Sequence, residues 1–304
     1  MKMKKDFLLL SNYSKEEILS LLALAAELKE KKRCGEPHNL LQGKTLAMIF
    51  EKSSTRTRVS FEVGIYDLGG TALVLDSNDM QMGRGESIED TARVLSRYVD
   101  GIMARVHKQK TVDDLASWSS IPVINGLSDF AHPCQVLADL LTIQEHKGGL
   151  EGKTLCFIGD GNNVANSLIA GGIKTGMKVR IACPANYKPD AELMAWAAEN
   201  GDFACSPDIM AMAAGADVLY TDVWASMGQE DEAATRALAF AGYQINQAVV
   251  DAAAPDAIVM HDLPAHKGEE ITFDVFEANA DTIFDQAENR LHAQKAIMVH
   301  LMRD

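Results

Sequence analysis

The segment that follows the apolar run 45–50 carries several hydroxyl groups and cations within a few residues. The pattern predicts a buried strand followed by a helix, and the first turn of a helix offers N–H groups and a positive dipole end to an anion. Ser54, Thr55 and Thr57 can add hydroxyl donors, and Arg56 adds a planar guanidinium that suits phosphate. The segment therefore predicts a phosphate site. It lacks the glycines of a P-loop, so a nucleoside triphosphate is not implied.

Four further polar residues are expected near the same anion. Gln81 lies in a polar loop after the second predicted strand, and Arg105 ends the third. His132 and Gln135 open the next helix, where the imidazole can donate to a developing oxyanion and the amide can both accept and donate. Cys134 lies between them, but the sequence supplies no recognisable His–Asn set to activate it as a nucleophile.

The elements that must position these residues follow an alternating pattern. A capping box, Ser14 with Glu17, begins the first helix. Short apolar runs then alternate with amphipathic stretches, which predicts an α/β fold with two doubly wound parallel-sheet domains. The interdomain helices include 132–146, and a C-terminal helix packs back on the first domain. Strands are predicted at 45–50, 72–75, 102–106, 123–124, 154–158, 178–182, 218–221 and 258–260. Ligands of such sheets bind beyond the carboxyl ends of the strands.

Composition narrows the class of protein. The chain has 304 residues, 47% of them hydrophobic, and a net charge of −14, which disfavours binding to nucleic acid or to an anionic membrane surface. The N-terminal apolar run 7–10 is too short for a signal peptide or a membrane span. Five widely spaced cysteines without a C-x-x-C pair argue against a disulfide framework or a zinc ribbon. We therefore expect a soluble, cytoplasmic protein.

Several motifs in order carry a resemblance to a known family. The segment 54–62 and the tetrapeptide 132–135 resemble the carbamoyl-phosphate half of the aspartate/ornithine carbamoyltransferase family. Gly159-Asp-Gly-Asn-Asn163 and Asp222-Val-Trp-Ala-Ser-Met-Gly228 resemble the ornithine branch, because the Ser-Met-Gly element is not expected in aspartate enzymes. The match extends over nearly the whole chain, to Asn289-Arg290.

The resemblance implies transfer of a carbamoyl group from carbamoyl phosphate to the side-chain amine of L-ornithine, which yields citrulline and phosphate in arginine metabolism. Residues 1–147 with helix 287–304 would form the carbamoyl-phosphate domain, and residues 148–286 the ornithine domain. No metal or other cofactor is expected. Subunits would form a homotrimer, in which Gln81 can reach a neighbouring subunit. The implied carbamoyl-phosphate ligands are Ser54, Thr55, Arg56, Thr57, Gln81, Arg105, His132, Gln135, Leu263 and Arg290, and the implied ornithine ligands are Asn163, Asp222, Ser226 and Met227.

One position departs from the family pattern. The family has His-Cys-Leu-Pro where this chain has His261-Asp262-Leu263-Pro264, and Lys267 stands where arginine is frequent. A carboxylate near an ammonium favours its charged form, so Asp262 opposes deprotonation of the attacking amine unless it takes the proton or pairs with another cation. Our hypothesis is that Asp262 and Asp222 surround a cationic end of the substrate and act in catalysis with Arg105 and His132. A tolerated variant of an ordinary ornithine enzyme is the alternative.

Four alternatives remain open at this point. The segment 157–164 is close to a dinucleotide-binding fingerprint, although Val164 replaces its third glycine and no acidic ribose ligand follows the next strand. A metal site would use His261, Asp262 and His266, but Pro264 interrupts any helix that would align them. A carbamoyltransferase for another amine, or a paralogue that binds carbamoyl phosphate without turnover, would keep the same anion site.

Overall fold

The computed structural model describes residues 5–77, 80–81, 85–225 and 232–303. The chain divides into two compact units, one formed by Met1–Ala138 with Asn289–Asp304 and the other by Asp139–Glu288. Both divisions fall inside helices, so two helices contribute residues to both units. No helix in the described part of the chain is long and apolar enough to span a membrane.

The first unit is built on a four-stranded parallel sheet in the order β2-β1-β3-β4. Its central strands are buried along nearly their whole length, as expected of a parallel sheet covered on both faces. The strands are β1 (Thr45–Phe50), β2 (Thr71–Asp76), β3 (Gly101–Arg105) and β4 (Val123–Leu127), and the helices are α1 (Lys15–Arg33), α2 (Thr55–Asp67), α3 (Ile88–Leu95), α4 (Gln109–Trp118) and α5 (Pro133–Lys147), after a 3-10 turn at Leu10–Asn12.

The second unit is built on a five-stranded parallel sheet in the order β7-β6-β5-β8-β9. Its strands are β5 (Thr154–Ile158), β6 (Lys178–Ala182), β7 (Phe203–Ser206), β8 (Val218–Thr221) and β9 (Ile258–His261). Its helices are α6 (Asn163–Lys174), α7 (Ala191–Asn200), α8 (Ile209–Ala213), α9 (Ala233–Ala239), α10 (Gln247–Ala252), α11 (Phe273–Ala278) and α12 (Ala280–Met302). Buried Ile158, Leu219, Val259 and Ile271 belong to one core cluster of this unit.

Each sheet has one point at which the strand order reverses. In the first sheet the chain builds outward in opposite directions from β1 and β3, and in the second from β5 and β8. Loops at the carboxyl ends of such neighbouring strands diverge and leave a crevice for a ligand. The candidate residues 54–57, 163 and 222 lie after β1, β5 and β8, and Arg105 is the last residue of β3.

The C-terminal helix α12 packs in the first unit from Asn289 onward. Lys295 is fully buried there, and its Nζ donates to the Leu28 carbonyl at 3.3 Å and lies 3.1 Å from His38 Nε2. Gly64 of α2 allows this close packing, since a Cβ at that position would lie 3.1 Å from Met298 Cε. The predicted fold class, including the return of the last helix to the first unit, is therefore confirmed.

Most differences from the predicted elements concern length. The capping box of α1 is present, with the Ser14 side chain accepting from the Glu17 N–H. The last helix begins at Ala280 rather than 287, because only the later part of its sequence has the regular apolar spacing of a buried helix. The sequence analysis gave no range for β7 or for any of the helices α7 to α11. Of these elements, β7, α8, α10 and α11 have only four to six residues, which are too few to show a period.

Candidate active site

The turn between β1 and α2 begins the first cluster of candidate residues. Ser54 is the N-cap of α2, and its hydroxyl accepts a hydrogen bond from the Thr57 N–H at 3.2 Å. Thr55 and Arg56 occupy the exposed first turn of the helix, whereas Thr57 is fully buried. The predicted arrangement of a buried strand leading into an open helix N-terminus is confirmed.

Two buried guanidinium groups converge on the Thr57 hydroxyl. Arg105 at the end of β3 donates to Thr57 Oγ1 at 3.3 Å, and Arg290 of α12 donates to the same oxygen at 2.9 Å. Arg290 also donates to Gln135 Oε1 at 2.9 Å. These side chains are no more than 5% exposed. Residues from β3, α2, α5 and α12 therefore form one positively charged cluster, which we call the arginine cluster: Thr57, Arg105, His132, Gln135 and Arg290.

His132 lies in the field of this cluster. Burial, and then the guanidiniums of Arg290, Arg105 and Arg56, hold the pKa of His132 well below its ordinary value. The imidazole is therefore neutral at pH 7. A neutral imidazole can donate one hydrogen bond without adding a further positive charge to the site.

Gln81 has no hydrogen bond to the arginine cluster among the contacts that the described residues make. It is exposed in the loop after β2, and its carbonyl accepts from the Glu86 N–H at 3.0 Å.

Among the predicted ornithine ligands of the second unit, Asn163 is the half-exposed first residue of α6. Ser226 and Met227 lie outside the described residues.

The second cluster forms where β5 and β8 end. Asn162, the N-cap of α6, accepts from the N–H groups of Val164 and Ala165 and donates to Asp222 Oδ2 at 2.7 Å. Asp222 Oδ1 accepts from the Val223 N–H at 2.7 Å, which fixes the carboxylate at 6% exposure. The sequence analysis chose Asn163 for this region, and the contact to Asp222 is made by its neighbour.

Arg236 is a site residue that the sequence analysis missed. Its Nη1 donates to Asp160 Oδ2 at 2.8 Å and to the Trp224 carbonyl at 3.0 Å, and its guanidinium lies 5.1 Å from the Tyr187 ring centroid. Burial raises the pKa of Asp160 to about 6, against the opposing effect of Arg236. Arg236 thus links the loop after β5 with the segment that leads into residues 226–228. No local motif indicates this, because the partners are far apart in sequence.

The segment after β9 is held by His261. Its Nδ1 accepts from the Leu263 N–H at 2.9 Å, so Nε2 carries the proton in the neutral ring and donates to Glu270 Oε1 at 3.0 Å. Glu270 Oε1 also accepts from the His266 N–H. Both nitrogens of His261 are therefore engaged, which argues against the metal site of the sequence analysis. Leu263 has a φ of +59° and precedes a cis proline, Pro264.

Asp262 lies beside a buried polar network. Its side chain is 10% exposed, and Oδ1 lies 3.8 Å from His261 Nδ1. Tyr220 donates to Asp139 Oδ2 at 3.0 Å, while Gln286 donates to Asp139 and accepts from the His261 N–H. Burial, and then Asp139, Asp262 and Asp222, raise the pKa of Tyr220 well above its ordinary value. Asp262 and Asp222 therefore lie near the same hydroxyl.

Comparison with known proteins identifies the family of the chain. Residues 5–145 match the family model "Aspartate/ornithine carbamoyltransferase, carbamoyl-P binding domain", and residues 151–301 match its "Asp/Orn binding domain". An ornithine carbamoyltransferase of Syntrophotalea carbinolica is 58% identical over 99% of this chain and 100% of its own length. The structure of ornithine carbamoyltransferase from Pyrococcus furiosus has a TM-score of 0.93 at 53% identity, covering 98% of this chain and 97% of that one.

A second structure, the anabolic ornithine carbamoyltransferase of Campylobacter jejuni, has a TM-score of 0.92 at 44% identity over 98% of each chain. This chain belongs to the aspartate/ornithine carbamoyltransferase family. The dinucleotide alternative finds no support: the Asn162 side chain already occupies the N–H groups of α6 that would hold a pyrophosphate.

The depressed pKa of His132 predicts a pH dependence of stability. Between pH 6.5 and 5 the unfolded chain takes up a proton at His132 that the folded chain does not bind, so the free energy of unfolding falls as the pH is lowered. We expect His132→Asn to make this fall smaller, as measured by urea unfolding across that range. His107→Asn, at an exposed position, is the control. An unchanged slope in His132→Asn would contradict the assignment.

The buried ion pair of Arg236 and Asp160 predicts that substitutions at the two residues have strongly coupled effects on the free energy of unfolding. Arg236→Met leaves a buried carboxylate without its cation, which costs about 3–5 kcal/mol of stability. In an Asp160→Asn background the same substitution should cost much less, because no buried charge remains. Urea unfolding of the four proteins gives the coupling. Arg33→Met, which removes an exposed ion pair with Glu30, should cost below ~1 kcal/mol. Equal costs of Arg236→Met in both backgrounds would show that the pair is not coupled.

Proposed function

We propose that this protein is an ornithine carbamoyltransferase, which transfers the carbamoyl group of carbamoyl phosphate to the side-chain amine of L-ornithine. The observation that carries the proposal is the convergence of Arg105 and Arg290 on Thr57, at the carboxyl edge of the first sheet. Two buried guanidiniums on one hydroxyl support an anion site in a chain whose net charge is −14. The relatives that share more than half of its residues bear that enzyme's name.

In this proposal the first unit binds carbamoyl phosphate. The first turn of α2, residues 54–57, holds the phosphate with its N–H groups, hydroxyls and the Arg56 guanidinium. Arg105 and Arg290 neutralise the remaining charge, and Gln135 contacts the carbamoyl amide. The roles of Gln81 and of the Leu263 carbonyl rest on the family resemblance alone.

The transfer step needs a stabilised carbonyl oxygen. The neutral amine nitrogen attacks the carbamoyl carbon, and negative charge develops on the carbonyl oxygen. The bond from carbon to the phosphate oxygen then breaks, and the departing phosphate takes up the proton that the nitrogen loses. Arg105, neutral His132 and Thr57 donate to that oxygen. Each preorganised donor of this kind typically contributes about 3 kcal/mol to the transition state.

The second unit binds ornithine. Asp222 is held in a fixed orientation by Asn162 and the Val223 N–H, and a carboxylate placed in this way pairs with an ammonium of the substrate. Asn163, Ser226 and Met227 complete the proposed amino-acid site on the resemblance. Asp262 adds a second carboxylate close to Tyr220 and Asp222.

The direct test supplies carbamoyl phosphate with ornithine, N-acetylornithine, putrescine or aspartate and measures the ureido product. We expect ornithine to be used by a wide margin. Thr57→Val removes the hydroxyl shared by Arg105 and Arg290 at almost constant volume, and should lower kcat by about 10²–10³-fold. Thr111→Val, on α4, is the matched control. Product only with putrescine or aspartate would reject the ornithine assignment, and no product with any amine would reject the transferase.

The carboxylate of Asp262 predicts that the pH profile of kcat/KM for ornithine differs between the wild type and variants without this charge. Its negative charge favours the protonated amine, so the amine pKa is raised and the acidic limb of kcat/KM for ornithine moves to higher pH. Asp262→Cys and Asp262→Asn remove the charge and should both move that limb to lower pH, whereas Asp262→Glu should retain it. Superimposable profiles for all four proteins would show that the charge has no role.

We further propose a cytoplasmic homotrimer. The exposed apolar side chains of Val59 (52%), Tyr66 (79%) and Leu73 (47%) lie on α2 and on the edge strand β2. Val59 and Tyr66 line a groove of about 520 Å³. An exposed edge strand beside an apolar groove suits a second copy of the chain.

Light scattering after size exclusion tests the assembly. Tyr66→Asp places a charge in the apolar groove and should dissociate the trimer at micromolar concentration. Leu238→Asp changes an 83% exposed leucine of the second unit and should leave the mass unchanged. A monomeric wild-type protein would reject the trimer.

A further inference from the structure

We propose that Cys183 and Cys205 form a reversible disulfide when the protein is exposed to a peroxide, and that this bond perturbs the amino-acid side of the active site. The effect on catalysis rests on the proposed function, whereas formation of the bond does not.

The two thiols already lie together. Cys183 Sγ and Cys205 Sγ are 3.7 Å apart, and no disulfide joins them. Cys183 directly follows β6 and Cys205 belongs to β7, and these strands pair in parallel, with Ile181 opposite Cys205. The Cys183 N–H donates to the Ser206 carbonyl at 3.2 Å, which continues the pairing beyond the strand end.

Closing the bond requires a small movement. A disulfide has an S–S distance of about 2.05 Å, so the sulfur atoms must approach by roughly 1.7 Å. β7 is the edge strand of its sheet, and all four of its residues are only partly buried. An edge strand pairs with a neighbour on one side only, so it can shift with fewer broken contacts than a central strand.

The two cysteines have different reactivity. A hydrogen bond from the Cys183 thiol lowers the pKa of Cys205 to about 7, with a further contribution from the positive charge of Lys188. Cys205 is half-buried, whereas Cys183 is 1% exposed and its pKa is raised by its contact with Cys205. A thiolate with partial exposure reacts with peroxide first. Cys205 is therefore the attacking residue and Cys183 the resolving residue.

The chemistry balances with hydrogen peroxide as the oxidant. The Cys205 thiolate attacks one peroxide oxygen and breaks the O–O bond, which gives a sulfenic acid and hydroxide. Cys183 sulfur then displaces the sulfenic oxygen, which leaves with protons as water. In sum, two thiols and one hydrogen peroxide yield one disulfide and two waters, and a dithiol reductant reverses the reaction.

A chain of contacts connects the pair to the proposed ornithine site. Two residues after Cys205, the Pro207 carbonyl accepts from the Tyr243 hydroxyl at 3.1 Å. The Tyr243 carbonyl in turn accepts from Trp224 Nε1 at 3.1 Å. Trp224 stands two residues before Ser226 and stacks on Phe240 with ring centroids 6.2 Å apart. A shift of β7 is therefore transmitted to the segment that begins the Ser226–Gly228 motif.

The experiment uses the full chain with Cys34→Ser, which removes the exposed cysteine. After treatment with hydrogen peroxide, a non-reducing digest that cleaves after glutamate separates Cys183 from Cys205 at Glu192 and Glu199. We expect a cross-linked peptide pair that dithiothreitol releases, and none in Cys183→Ser or Cys205→Ser. In a Trp118→Phe/Trp196→Phe background, Trp224 fluorescence should change on oxidation and recover on reduction.

Kinetics provide the functional readout. Oxidation should raise KM for ornithine about fivefold or more and leave KM for carbamoyl phosphate within twofold. In Cys205→Ser, peroxide treatment should leave both KM values unchanged. Failure of the peptides to cross-link would overturn the proposal. A mapped disulfide with unchanged Trp224 fluorescence and unchanged ornithine KM would overturn the link to the site. An inactive enzyme that still forms the disulfide and shifts Trp224 fluorescence would reject the proposed function and not the disulfide.

Discussion

The convergence of Arg105 and Arg290 on one threonine hydroxyl is the constraint on which the rest of the first unit depends. Two guanidiniums at most 5% exposed repel each other, so they must be held by rigid elements. Arg105 is fixed by a fully buried strand, and Arg290 by a 23-residue helix that is anchored further along by Lys295. In the proposed function, a bound anion would offset this repulsion. The return of α12 to the first unit places Arg290 beside Thr57 and Gln135.

The negative net charge of the whole chain and the positive charge of this site act over different distances. Exposed charges are screened beyond about 8–10 Å at physiological ionic strength, so the surface affects solubility and approach. Inside the arginine cluster the dielectric is lower and the local cations dominate. Neutral His132 fits this account, because a third buried cation would add repulsion, whereas the neutral ring still donates one hydrogen bond.

The sequence predicted features that depend on neighbouring residues. The strands Thr45–Phe50, Thr154–Ile158, Lys178–Ala182 and Val218–Thr221 were placed with their observed bounds, because continuous apolar runs ended by polar residues mark buried parallel strands. The turn at Ser54 was likewise readable from cap chemistry. Two bonds between distant residues had no signal in the sequence: the bond from Arg236 to Asp160 spans 76 residues, and the bond from Gln286 to Asp139 spans 147. Arg290 was grouped with Thr57 and Gln135 only through the family resemblance.

In the second unit two carboxylates, those of Asp160 and Asp222, lie close to each other. Asp160 and Asp222 approach closely enough that Asp222 contributes to the raised pKa of Asp160. Arg236 pairs with Asp160, so the local negative charge that remains is that of Asp222, which Asn162 and the Val223 N–H orient. Arg236 therefore pairs with one of two neighbouring carboxylates and leaves the other, Asp222, as the one that the proposed function assigns to the substrate. Asp262 adds a further carboxylate near Tyr220, where burial and then Asp139 and Asp222 already raise the pKa of the tyrosine. In the proposed function, this carboxylate either raises the pKa of the attacking amine or pairs with an ammonium of the substrate.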